Sequence, residues 1–123
     1  MKTFLVAGLL LFPTYAFADG NDLLRGCGAS VAFMDGTKPQ PSDDNRIGFC
    51  LGFMQGVTQT NLVYQVRPKD SAVFCLPEGG VKNGQAARVF VKYLRDHPEE
   101  LHRAEIVLAF AAFQDAFPCR NER

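Results

Sequence analysis

Residues 75–119 read CLPEGGVKNGQAARVFVKYLRDHPEELHRAEIVLAFAAFQDAFPC, a helical hairpin with a cysteine beside a proline at each end. Cys75-Leu76-Pro77 opens it and Phe117-Pro118-Cys119 closes it. Between them Ala86, Val89, Phe90, Tyr93 and Leu94 recur at helical spacing opposite Arg88, Lys92 and Arg95, so a helix from Gly84 to Asp96 capped by Asn83 is expected. His97-Pro98 ends it, because the residue before proline is pushed out of the helical region. Pro98, Glu99 and Glu100 then suit the first turn of a further helix running to about Phe117. Leu101, Ala104, Leu108 and Ala111 share one stripe of that helix and Val107, Phe110, Phe113 and Phe117 lie beside it, which predicts a central, largely enclosed helix. If the two flanking thiols join, the hairpin is one covalent loop.

Upstream, Leu23, Cys27, Val31 and Met34 recur on one face of a helix expected over about Asp22–Phe33, with Asn21 or Asp22 as its cap. Gly36, Pro39 and Pro41 break the chain, and Ser42 or Asp43 caps a second helix reaching about Tyr64. Gly48, Gly52 and Gly56 fall on one face of it, each costing about 1 kcal/mol relative to alanine. Close approach of another backbone would offset that cost, either inside the monomer or at a homodimer seam. The connection from Gln65 to Lys82 is long and non-helical.

Met1–Ala18 has the order of an export signal: Lys2, an apolar run Phe4–Phe12, Pro13, then Ala16-Phe17-Ala18 before Asp19. The apolar run is about half of the ~20 residues needed to span a membrane, so a cleaved leader is expected rather than an anchor. Residues 19–123 of the exported chain are then expected to form one domain. An even count of four cysteines in an exported chain reads as a disulfide framework. Four cysteines allow three connectivities. The two antiparallel hairpins bring Cys27 level with Cys50 and Cys75 level with Cys119, and this pairing is the expectation. The fold class expected is therefore all-α, four short helices stapled by two disulfides.

Charge is near balance, with 13 basic and 13 acidic residues and no run of one sign, which gives no footing for nucleic acid or an anionic membrane. His97 and His102 are five apart and separated by Pro98, so they do not share a face as paired metal ligands would. The serines lack a nucleophile-elbow setting and Gly79-Gly80 lacks the lysine of a phosphate loop. No catalytic residue, metal or cofactor is expected. A rigid exported scaffold of this kind suits binding, because rigidity lowers the ordering cost of association.

Cys50-x-Gly52-Phe53-x-x-Gly56-Val57, Cys75-Leu76-Pro77, the run Val91-Lys92-Tyr93-Leu94-Arg95-Asp96-His97-Pro98-Glu99-x-Leu101-His102 and Ala116-Phe117-Pro118-Cys119 together resemble the Rap/Tai immunity protein family. The resemblance implies a periplasmic, all-helical, often dimeric protein that protects against a type VI secretion effector. In the well-studied branch the effector is a peptidoglycan amidase, whose cleft is blocked by a protruding loop. This chain departs from the family pattern in a turn, residues 78–83, about one residue longer, in Asn83 where a threonine cap is usual, and in Gln59 where an acidic residue is usual.

A non-enzymatic inhibitor binding a protein effector is the leading reading, with a chaperone-like protein that binds unfolded clients as the alternative class. The partner-binding residues expected on protruding loops are Gln65, Arg67, Lys69, Asp70, Glu78, Lys82 and Asn83. Gly48, Gly52 and Gly56 are the expected homodimer seam.

Overall fold

A computed structural model describes residues 18–67 and 71–120. The leader reading, apart from Ala18, lies outside the described residues, as do Lys69 and Asp70. The described chain forms four α-helices and no strand: α1 (Gly20–Met34), α2 (Asp44–Gln65), α3 (Asn83–Asp96) and α4 (Glu105–Ala116). Short 3-10 turns precede α2 at Pro41–Asp43 and α4 at Pro98–Glu100.

Each helix start is set by local chemistry, and not always by the residue the sequence suggests. α1 begins earlier than expected because Asp19 is its cap, accepting from the backbone N–H of Asn21 (2.9 Å) and Asp22 (3.1 Å). These hydrogen bonds, that from Asp22 foremost, hold the Asp19 carboxyl below its usual range. The Asp43 carboxylate accepts from the Gln40 N–H at 3.1 Å, so it braces the turn before α2 and makes no cap bond to the helix. Asn83 is also not a cap: Lys82 occupies that position and the Asn83 amide donates instead to Gln55 Oε1 at 3.3 Å.

The core gathers Leu23 and Cys27 of α1, Cys50, Met54 and Val57 of α2, Ala86, Ala87, Phe90, Val91 and Leu94 of α3, and Leu108, Ala109, Ala112 and Phe113 of α4. α1 and α2 pack on each other, and α3 lies against both while also carrying α4. The central helix is thus α3, correcting the expectation for α4. α3 was legible as an amphipathic helix, but its buried stripe is wide enough to serve three neighbours. α4 is also shorter than expected, because Pro98 starts a 3-10 turn and the helix proper begins only at Glu105. It packs mainly on α3, leaving Ile106 and Val107 exposed.

The close backbone approach expected on α2 occurs on α1. A Cβ at Gly26 would lie 3.2 Å from the Arg46 carbonyl oxygen, and buried Ser30 donates to Gly26 O at 3.1 Å one turn later. Gly48, Gly52 and Gly56 are exposed, and a Cβ at any of them would meet nothing within 4 Å. Packing inside the monomer therefore does not explain these three glycines.

Both disulfides join as the hairpin geometry predicts: Cys27 with Cys50 and Cys75 with Cys119. Replacing Cys27 and Cys50 together by alanine is expected to cost about 3 kcal/mol through lost restraint of the unfolded chain. Urea unfolding should show a lower midpoint with the far-UV spectrum kept in water.

Candidate functional site: the end of α2 and its clamped loop

The chain after α2 is the one long non-helical stretch among the described residues, and its second half is built into the core. Phe74 is fully buried, its ring 5.1 Å from Phe113 and 5.8 Å edge-on to Phe110. Burying non-helical backbone leaves its N–H and C=O groups in need of partners. Two side-chain amides one helical turn apart supply them. Asn61, itself buried, donates to Phe74 O at 2.7 Å and accepts from Val73 N–H at 3.3 Å. Gln65 donates to Leu76 O at 2.9 Å and accepts from Leu76 N–H at 3.0 Å. On the other side Cys75 N–H donates to Phe117 O at 2.8 Å, beside the bond from Cys75 to Cys119.

Gln65 is therefore a clamp with both ends of its amide engaged, and its expected place in a free contact surface does not match its surroundings. Asn61 was missed altogether. Its signal was the Asn61/Gln65 spacing, which puts two bifunctional amides on one face just before a segment with no ladder of its own.

Beyond this clamp α2 ends in an exposed apolar collar. Leu62, Val63, Tyr64 and Val66 all face solvent, Val66 with 77% of its surface exposed, and Val73 adds to them from the returning chain. The Arg67 guanidinium lies over the Tyr64 ring, 5.6 Å from its centroid, which holds a cation against the collar. Arg67 is itself exposed, just past the end of α2. Residues 77–80 turn beside this end of α2, with Gly80 N–H donating to Pro77 O at 2.8 Å and both Gly79 (φ 84°) and Gly80 (φ 73°) left-handed. Glu78 is exposed on this turn, two residues after the Leu76 that Gln65 holds. Asn83 lies apart: its bond to Gln55 sets it beside the middle of α2, roughly 15 Å along the axis from Gln65 at 1.5 Å per residue. Lys82 precedes it, exposed.

The titratable cluster on the far side braces a corner. Tyr93 OH donates to Glu100 Oε2 at 3.1 Å, and Arg103 donates to the same oxygen at 3.0 Å. His97 stacks on Tyr93 with ring centroids 4.1 Å apart and its Nδ1 2.9 Å from Tyr93 O. Burial foremost, and then the Glu100 carboxylate, push the Tyr93 phenol up, the opposite of what a catalytic base needs. No group of three or more potential metal ligands occurs among the described residues.

Asn61→Ala would leave Phe74 O without its partner in a buried setting, at about 1–3 kcal/mol, and would also free the part-buried Val73 N–H. It is expected to lower the urea midpoint clearly more than Gln65→Ala, whose site is half-buried. Amide exchange at Val73 should rise most.

No curated protein and no solved structure matches the chain. The model of one family, Rap1a immunity proteins, matches residues 19–119, which takes in all four helices, both disulfides and the clamped loop. On that match across most of its length, the chain belongs to the Rap1a immunity protein family.

Proposed function

We propose that this immunity protein is exported to the periplasm with its leader removed after Ala18, and that it binds and occludes a type VI secretion effector, a peptidoglycan amidase, by shape rather than by reaction. The observation that carries the reading is the collar of Leu62, Val63, Tyr64 and Val66 with Arg67, displayed on a base fixed by the Asn61 and Gln65 amides. Tyrosine and arginine are the side chains that most often dominate binding energy, and a tip already rigid loses little entropy on docking. Glu78 flanks the tip, and Lys69 and Asp70 follow Arg67 in sequence, so all three belong to the proposed contact. Family membership supports an effector as partner, and two disulfides suit an oxidising compartment.

Titration of the oxidised protein with candidate amidase effectors should give a stoichiometric complex that inhibits one of them. Changing Tyr64 and Arg67 together to alanine is expected to weaken that complex at least tenfold, about 1.4 kcal/mol, with Tm unchanged because both side chains are exposed. Unchanged affinity would remove the tip from the interface.

A homodimer seam on the outer face of α2 is part of the same proposal. Gly48, Gly52 and Gly56 leave that face bare, while Phe49, 52% exposed, and Val63 border it. Three exposed helical glycines cost about 1 kcal/mol each, and no contact within the chain offsets this. Gly52→Leu enters open space in the monomer and is expected to keep the fold while converting a dimer to a monomer in light scattering. A monomeric parent protein would rule the seam out.

A further inference from the structure

The two disulfides sit in opposite environments. Cys27 and Cys50 are both fully buried between α1 and α2. Cys119 is exposed three residues beyond the end of α4 at Ala116, Cys75 is half-buried, and the cation of exposed Arg120 is next in the chain. The Cys119 sulfur also lies 3.9 Å from Ala72 O, so this bond closes onto the clamped loop itself. Thiol–disulfide exchange requires a thiolate to reach a sulfur along the S–S axis, and burial blocks that approach until the surroundings open.

We propose that the bond between Cys75 and Cys119 is a modification site for a dithiol reductant, which opens it while the bond between Cys27 and Cys50 stays closed. A thiolate of the dithiol attacks Cys119 Sγ, the S–S bond breaks, and Cys75 leaves as thiolate and takes up a proton. The second thiol of the reductant then attacks the mixed disulfide and releases Cys119. Two electrons and two protons pass from the dithiol to Cys75 and Cys119, and the dithiol becomes a disulfide. Arg120 favours the anionic attacker at Cys119.

Opening this bond unties residues 73–76 from the end of α4 on one side only. Phe74 remains in its pocket, and the Asn61 and Gln65 amides remain in place. The bond from Cys75 N–H to Phe117 O loses its covalent backing. The loop is therefore loosened at its α4 side and kept at its α2 side. The proposal deepens the reading of the α2 tip as a binding surface, since its consequence for a partner rests on that reading, whereas the test below needs no partner and fails or succeeds independently of it.

The oxidised protein is exposed to dithiothreitol in the absence of denaturant, quenched with iodoacetamide at intervals and mapped by mass spectrometry. Cys75 and Cys119 are expected to be labelled at least tenfold faster than Cys27 and Cys50, with helical circular dichroism retained. Amide exchange at Cys75 should rise at least tenfold, and that at Val73 and Leu76 less. Incubation with glutathione, a monothiol, should trap its adduct on Cys119 rather than Cys75. Labelling of all four cysteines at one rate, earlier labelling of Cys27 and Cys50, or loss of helix in step with labelling would overturn the proposal. An adduct predominantly on Cys75 would overturn the assigned point of attack.

Discussion

Everything at the end of this molecule proposed as the contact surface depends on how residues 73–76 are held between α2 and α4. They are non-helical backbone that sinks Phe74 and Leu76 into a helical core, an arrangement that fails unless every buried polar group finds a partner. The Asn61 and Gln65 amides meet that need from α2, each both donating and accepting, while Phe74 fills the space against Phe110 and Phe113. Cys75 fastens the same segment to the end of α4. α4 leans mainly on α3, so this threaded segment is its second support.

The clamp also explains why the exposed end of α2 can serve as a recognition surface. A collar of Leu62, Val63, Tyr64 and Val66 on a free helix end would fray and pay for its ordering at each encounter. Here the turn bearing Gln65 is tied to Leu76 and the turn bearing Asn61 is tied to the core, so the collar is displayed on fixed backbone. Titratable groups elsewhere perform structural work of the same kind. Tyr93, His97, Glu100 and Arg103 brace the corner between α3 and α4, and Arg88 reaches Asp35 at 2.6 Å to tie α3 to the end of α1, which holds the Asp35 carboxyl below its usual range. Exposed pairs such as this last one contribute little individually.

The α2 helix shows how identical local patterns acquire different meanings. Its three glycines share a face with the spacing that close helix packing uses, yet the backbone approach inside the chain happens at Gly26 of α1, beside the first disulfide. The difference arises because Cys50 and Met54 fix which side of α2 faces inward, and the glycines fall opposite to them.

Sequence alone determined the helical class, the proline-defined breaks and both cysteine pairings, since periodicity and hairpin symmetry are local or nearly local properties. It misassigned the central helix, because apolar content measures how much surface a helix wishes to bury and not where its neighbours lie: α4 is the more apolar, but it leans mainly on α3 and only brushes α1 and α2, whereas α3 packs extensively on all three. It also read Gln65 as a free loop residue and passed over Asn61. Only the tertiary structure decided those two roles, for the physical reason that an amide becomes a clamp when a distant, non-helical backbone is pressed against it, and Phe74 does the pressing.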